Sequence, residues 1–121
     1  MTAKADLRAL LDDTSGPASS VTITVPGDEP VAIVLRAVVR HLGGRPPQWA
    51  GDDLTNTRAR WADCTVHADD VPTEPVPDAW TVTDAAGVVW QVKDVAPRTA
   101  EGGAPFGWRL ALRAGQRGGM R

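Results

Sequence analysis

The chain has 121 residues, 42% of them hydrophobic and 23% charged, which is the composition of a globular domain and not of a disordered or collagen-like chain. The longest uninterrupted apolar run, Val31 to Leu35, is far shorter than the roughly 20 residues that cross a bilayer, and no apolar stretch follows the N-terminus as in a secretory signal. Cys64 is the only cysteine, which excludes an intrachain disulfide and any zinc site built from several thiolates of one chain. We therefore expect a single domain over residues 1–121 that is made and kept in a cytosol.

The formal net charge of −2 is unevenly distributed along the chain. From Arg98 onward there are five arginines and one acidic residue, Glu101, which gives a local charge of +4, so the preceding residues carry −6. Such a division suits a protein that meets a neighbour, or another copy of itself, through complementary surfaces. A flexible basic tail over residues 115–121 that only improves solubility is an equally open interpretation. On the first interpretation, the candidate contact residues are Arg109, Arg113 and Arg117.

Near the N-terminus, Leu7, Leu10 and Leu11 recur at the spacing of one helical face. This spacing predicts a short helix. Gly16 and Pro17 are expected to end it, because glycine allows a left-handed cap and proline cannot continue the hydrogen-bond ladder. Residues 1–17 are therefore assigned to the helix and its connector.

From residue 21 to residue 114 the apolar residues recur with a period of two, which is typical of β-strands. Short strands separated by turns every 8 to 12 residues or so predict a mainly β fold, a small six-stranded antiparallel barrel or sandwich. The first two strands, and the fourth and fifth, are expected to form hairpins, and residues 97–106 are expected to form a loop. The predicted strands are Val21 to Val25, Val31 to Arg40, Arg58 to Ala68, Trp80 to Thr83, Val88 to Val95 and Trp108 to Ala114.

A long loop is predicted between the second and third strands, from His41 to Thr57, where glycines, prolines and polar residues interrupt the alternation. Loops longer than about 12 to 15 residues are uncommon in compact domains and usually have a function. Trp49 is expected to contact a partner, because no predicted strand is available to cover its large ring. The candidate residues of this loop are His41, Arg45, Trp49, Asp52, Asp53 and Asn56.

Cys64 and His67 are the one pair that could be read as a nucleophile with its base or as half of a metal site. An offset of three places their side chains on opposite faces of a strand, so we predict that Cys64 is a core residue and His67 a surface or loop-edge residue. The run Gly51-Asp52-Asp53 lacks the spacing of a calcium loop. We therefore expect neither catalytic activity, nor a metal site, nor a cofactor.

The aromatic residues are five tryptophans and one phenylalanine, with no tyrosine. The tryptophans within predicted strands are expected to fill the core. Tryptophans mixed with basic residues also fit an OB-like barrel that binds single-stranded nucleic acid or another ligand, and this is the alternative function. The strand tryptophans are Trp61, Trp80, Trp90 and Trp108.

A set of segments between residues 21 and 114 has a recognisable order and spacing. They are Val21-Thr22-Ile23-Thr24, Val34-Leu35-Arg36-Ala37-Val38-Val39, Val66-His67-Ala68-Asp69-Asp70-Val71-Pro72, Pro75-Val76-Pro77-Asp78, Gly87-Val88-Val89-Trp90-Gln91-Val92 and Trp108-Arg109-Leu110. Taken together, they resemble the small head-tail connector proteins of tailed bacteriophages, in particular the head-closure or stopper proteins of the long-tailed phage neck.

This resemblance implies a small β-barrel whose copies, six or twelve, form a ring in the virion neck after assembly in the host cytoplasm. The ring would lie between the portal-adaptor assembly and the tail, where it closes the head and provides the surface for tail attachment. Its expected partners are other copies of itself, the adaptor or portal side and the tail-completion proteins, and no membrane. The long loop, here His41 to Thr57, would point into the channel and help to retain the packaged DNA.

Overall fold

The protein is a closed antiparallel β-barrel of six strands with one short N-terminal helix, which confirms the predicted fold class. The computed structural model describes residues 3–45, 47–49, 60–99 and 103–114. A single 3-10 turn, Ala68–Asp70, follows the third strand. In chain order the other elements are α1 (Ala3–Asp12), β1 (Ser19–Val25), β2 (Val31–Gly43), β3 (Arg60–His67), β4 (Thr81–Thr83), β5 (Val89–Thr99) and β6 (Pro105–Ala114).

The strands follow the order β1-β2-β3-β6-β5-β4 around the barrel, and β4 pairs with β1 to close it. Both predicted hairpins are present, because β1 pairs with β2 and β4 pairs with β5. Ile23 shows the closure at one position, since it lies opposite Ile33 on one side and Val82 on the other. Closure gives every strand a neighbour on both sides over part of its length, which limits the sheet edge available for unspecific pairing.

The barrel interior is filled by apolar side chains, as the period of two predicts. The buried core includes Cys64, which is fully buried as predicted. Trp90, also fully buried, extends from β5 into the same core. The four strand tryptophans are at most 9% exposed, although Trp80 lies just before β4 and not within it. The remaining buried core side chains are Val21, Ile23, Leu35, Ala37, Ala62, Val66, Val71, Trp80, Val82, Val92, Trp108, Leu110, Leu112 and Ala114.

Several strand boundaries differ from the sequence prediction, and the largest differences shorten two predicted loops. The residues 41–43 belong to β2 and not to the long loop, because the β2–β3 ladder continues through a register shift between His41 and Gly43. The predicted loop 97–106 is also shorter, since β5 extends to Thr99 and β6 begins at Pro105. Pro97 is tolerated in β5 because β4 pairs only with residues 89–91, so this part of β5 bonds to β6 alone.

Helix α1 packs on the outside of the barrel instead of extending away from it. Leu7 and Leu11 are buried there with Ala18 and Phe106 in a second apolar cluster, separate from the barrel core. The predicted helical face of leucines is therefore confirmed for these two, whereas Leu10 is 42% exposed. Helix α1 therefore divides the outer surface of the barrel into a part that it covers and a part that it leaves bare. The candidate site lies on the covered part.

Candidate functional site

We use the name covered wall for the outer face of β3, β6 and the second half of β2, against which α1 and Trp49 lie. Contacts between distant parts of the chain hold it together. Arg8 of α1 donates two hydrogen bonds, of 2.7 and 3.1 Å, to the carboxylate of Asp70 after β3. These hydrogen bonds raise the pKa of the Arg8 guanidinium above its usual value. The bidentate geometry fixes the direction of the helix as well as its distance from the barrel.

Arg36 marks the end of the covered wall on β2. Its side chain donates to the carbonyl oxygens of Leu11 and Ala18, at 2.5 and 2.8 Å. The carbonyl of Leu11 lies in the last turn of α1, where helix carbonyl groups have no partner within the helix. Arg36 therefore supplies, from the barrel, the hydrogen-bond donors that the last turn of α1 lacks. The part of β2 that α1 covers ends at this residue.

His67 lies under α1 and is only 1% exposed, so the prediction of a surface or loop-edge position is wrong. It does point away from Cys64, as the strand offset predicts; the outer face of β3 is simply covered by the helix. The backbone N–H of Asp69 donates to His67 Nδ1 at 3.0 Å. The ring proton therefore fits on Nε2, which lies 3.3 Å from the carbonyl oxygen of Lys4. Both ring nitrogens have structural partners, so His67 joins helix to barrel.

Asp63 is the buried acidic side chain of the covered wall, with 6% exposure. Its Oδ2 accepts hydrogen bonds from Arg109 at 2.6 Å and from Arg40 at 3.4 Å. Its Oδ1 is buried without a hydrogen-bond partner. A carboxylate with so little access to water is tolerated because the two guanidinium groups compensate its charge.

Trp49 lies on the covered wall next to this charge pair. The Arg109 guanidinium carbon is 5.3 Å from the centre of the Trp49 ring, within the range of a cation–π contact. The interpretation that no strand is available to cover Trp49 is therefore wrong, because Arg109 belongs to β6. The ring is half-buried, and its buried Nε1 has no hydrogen-bond partner. Trp49 is thus attached to its own barrel and still leaves part of its surface exposed.

Two neighbouring cavities open on the covered wall and share Arg40, Asp63 and Arg109. The first, of about 650 Å³, lies between α1 and the ends of β5 and β6, and apolar side chains such as Leu10 and Phe106 form part of its lining. The second, of about 510 Å³, lies beside Trp49. Together the two cavities form one groove along the covered wall, which we call the arginine groove. A groove with apolar patches and arginines is suited to a partner that is both apolar and acidic.

The structure brings together three of the predicted candidate residues: Arg45, Trp49 and Arg109 line the second cavity. His41 lies elsewhere, with its ring 5.5 Å from that of Trp90 at one end of the barrel. Arg113 is half-exposed on β6. The candidates outside the described residues are Asp52, Asp53, Asn56 and Arg117.

Sequence reasoning did not nominate Arg40, Asp63 or Arg98, which also line the cavities. Arg40 and Asp63 are brought opposite each other by the β2–β3 register, and Asp63 lies beside Arg109 because β3 pairs with β6. An acidic residue within the apolar alternation of β3 was the one available signal. It could be used only once the pairing of non-adjacent strands was known.

The opposite side of the barrel has a different outer face, which we call the open wall. The strand registers place Val34, Thr22, Thr83 and Val89 in one row across β2, β1, β4 and β5. A second row alongside consists of Ala32, Thr24, Thr81 and Gln91. None of these eight side chains is charged, and Val34 and Val89 are 71% and 60% exposed.

Cys64 has neither the access nor the ionisation of a reactive thiol. Burial in the barrel core, with a smaller effect of the Asp63 charge, raises its pKa to about 12. The thiol is therefore protonated at neutral pH. Within the described ranges no group of three potential metal ligands is found. The described residues also contain no helix long and apolar enough to cross a membrane.

Comparison of the chain with protein-family models, with curated proteins and with solved structures gave no significant match. The function must therefore be argued from the sequence and from the geometry of the two walls.

Proposed function

We propose that the protein is a structural component of a phage neck, which forms a ring between the portal or adaptor and the tail, closes the head and offers the tail its attachment surface. The single observation on which this proposal depends is the ordered set of connector-like segments in the sequence. The closed barrel and the long β2–β3 connection, residues 44–59, agree with what that resemblance implies.

The filled barrel interior supports a role in assembly. A β-barrel that binds a small ligand usually does so in a cavity within the barrel or at its mouth. Here the interior is occupied by core side chains, and both large cavities lie on the outside of the barrel, along the covered wall. The surfaces available for function are therefore the outer walls, which suits a subunit that packs between neighbours.

Trp49 connects this proposal to the long β2–β3 connection. Residues 47–49 lie against the covered wall, where Arg109 contacts the Trp49 ring. The start of the connection is thus held on its own barrel. In the proposed ring, the long connection reaches the channel or an adjoining ring, and Trp49 is its fixed base; residues 50–57, on which this role depends, lie outside the described residues.

The alternative, a barrel that binds single-stranded nucleic acid, receives less support from the structure. Such binding depends on exposed aromatic rings on which bases can stack. All six aromatic residues of the chain lie in the described ranges, and five of them, Phe106 and the strand tryptophans, are at most 9% exposed. The sixth, Trp49, is half-buried beneath Arg109. No row of rings is therefore available as a stacking surface.

The proposal is tested by complementation of a phage that lacks this gene. Wild-type chain with a surface tag should appear by cryo-electron microscopy as a ring at the neck. A variant with residues 50–57 replaced by a Gly-Ser linker of equal length should still fold and assemble necks, because exchanging loop residues costs little folding energy. Its particles should lose DNA or fail to join tails.

The matched control is a chain in which the exposed Ala85 and Ala86 of the β4–β5 turn are replaced by Gly-Ser, which leaves the β2–β3 connection intact. It separates the effect of the connection from that of altering any turn. Absence of the tagged chain from purified particles would refute the neck assignment. Normal DNA retention and infectivity of the 50–57 variant would refute the role of the connection.

A further inference from the structure

The β1–β2 turn, residues 26–30, is an exposed acidic tip. Asp28 and Glu29 lie at its end, and every residue of the turn is exposed. On the outer face of β2, Ala32 is exposed and Val34, two residues further along, is 71% exposed. The tip and the start of β2 therefore form one continuous surface that is acidic at its end and apolar along its side.

The groove on the covered wall has the complementary character. Its arginines outnumber its acidic residues. The acidic residues are Asp63, whose carboxylate already accepts hydrogen bonds from Arg40 and Arg109, and Asp6 at the end next to α1. Arg98 is exposed and lies over the Phe106 ring, 5.9 Å from its centre. The arginines that line its cavities are Arg40, Arg45, Arg98 and Arg109.

The tip cannot reach the groove of its own chain. Both surfaces lie on β2, with the tip before Val31 and the groove at Val38 and Arg40. At about 3.3 Å per residue, seven residues of extended strand separate them by roughly 23 Å. Between them Arg36 donates hydrogen bonds to the carbonyl oxygens of Leu11 and Ala18, so this part of β2 is fixed against the end of α1. A contact between tip and groove therefore joins two chains.

We infer that the acidic tip of one copy, with Ala32 and Val34 on the outer face of β2, docks on the arginine groove of the next copy in a head-to-tail interface. The inference rests on the ring of the proposed function. The two surfaces differ, so the contact is heterologous, and repetition of such a contact closes a ring when the rotation between copies allows it. Acidic residues meet arginines, and Val34 meets Leu10, which is 42% exposed.

Cysteine cross-linking tests the interface directly, because Cys64 is fully buried and does not compete. Glu29→Cys and Arg98→Cys chains are prepared separately and then mixed under mild oxidation. The mixture should give at least tenfold more disulfide dimer than either variant alone. The double variant should give a ladder of covalent oligomers that ends at the size of the ring. A mixture of Glu29→Cys with Val76→Cys, at an exposed site on the β3–β4 connector, is the control and should give no excess dimer.

Charge reversal gives an independent measurement by analytical ultracentrifugation. Glu29→Arg and Arg98→Glu, both at exposed positions, should each weaken self-association at least tenfold without changing the melting temperature. An equimolar mixture should restore association, because each reversed tip then meets a reversed groove. Association of the wild type should weaken as salt is added, since the exposed charges are screened.

The outcomes distinguish this interface from the proposed function. A wild-type chain that associates while the mixture restores nothing, or while the reversals have no effect, overturns the interface and leaves the ring itself intact. A wild-type chain that stays monomeric at millimolar concentration also overturns it. The neck assignment then still depends on the imaging of particles, where a neighbouring ring can template assembly.

Discussion

The covered wall and the open wall belong to one barrel but are stabilised by contacts of different range. On the covered wall, Arg8 bonds to Asp70, His67 lies against Lys4, and Arg109 bonds to Asp63; the partners in each pair are more than 40 positions apart. On the open wall, the contacts of the β4–β5 turn link residues at most six positions apart. Both walls need distant strands to pair, since β1 meets β4 on the open wall, but the covered wall depends on long-range side-chain contacts as well.

Asp84 organises the turn at the edge of the open wall. Its carboxylate accepts hydrogen bonds from the backbone N–H groups of Ala86 and Val88, both at 2.9 Å, and from the Trp90 indole at 3.0 Å. Gly87 completes the turn with a φ of 88°, in the left-handed region that glycine adopts without strain. The turn thus satisfies its own polar groups, and the described residues leave the open wall uncovered. Its exposed valines are therefore available to a second chain.

The largest expected effect is at Gly107 of β6, which lies beside Leu7 of α1. A Cβ atom at this position would lie 2.7 Å from Leu7 Cδ2 and 2.8 Å from the Val66 carbonyl oxygen. Because the backbone oxygen cannot move away easily, Gly107→Ala should destabilise the fold by about 3 kcal/mol, as for an overpacked core. Urea unfolding measures the change.

The open-wall counterpart is Gly27→Ala in the β1–β2 turn, where a Cβ would meet nothing within 4 Å. Its effect should lie within about 0.5 kcal/mol, as for most exposed substitutions. Equal destabilisation by the two variants would contradict the difference between the walls. So would a Gly107→Ala protein as stable as the wild type.

A smaller effect is expected at Asp63. Asp63→Ala leaves Arg109 without its carboxylate, but Arg109 is 33% exposed and Arg40 is 70% exposed, so water replaces part of the loss. We expect about 2 kcal/mol of destabilisation, less than for a fully buried ion pair. A double-mutant cycle with Arg109→Ala should give a coupling above about 0.5 kcal/mol. Additive effects of the two single substitutions would show that the pair contributes no coupling.

The smallest effect is expected at Asp84, through pH. Burial acts to raise the pKa of Asp84, but the hydrogen bonds from Trp90, Val88 and Ala86 outweigh it, so this pKa lies below its ordinary value. A depressed folded-state pKa stabilises the fold above the unfolded pKa of about 3.9, and this contribution is lost as pH falls through the folded pKa. Asp84→Asn should therefore cost about 1 kcal/mol at neutral pH and less in acid.

Melting temperatures of wild type and Asp84→Asn, measured from pH 2 to pH 7, give this comparison. The two curves should approach each other at the acid end. A constant separation over the whole range would mean that ionisation of Asp84 does not contribute to the stability of the turn. Asp28→Asn at the exposed tip serves as the control for a lost surface carboxylate.

Much of the fold followed from local pattern. The period of two predicted all six strands, and the turn residues predicted both hairpins, because strand alternation and turn chemistry act over a few neighbouring residues. The candidate site was predicted less well. Trp49 and Arg45 were nominated as residues of the long loop and Arg109 for the basic charge of the C-terminal part, and the buried partner Asp63 that joins the cavities was not nominated at all. Its significance depends on β3 lying between β2 and β6.

The sequence is enough to specify a β-rich domain with an apolar core, a fully buried Cys64 that points away from His67, and a division of charge along the chain. The return of α1 over β3, which buries His67 and creates the arginine groove, becomes evident in the folded chain alone. The difference reflects the range of the interactions. Alternation specifies which face of a strand is apolar, but helix docking and the pairing of non-adjacent strands depend on the combined shape of segments far apart in the chain.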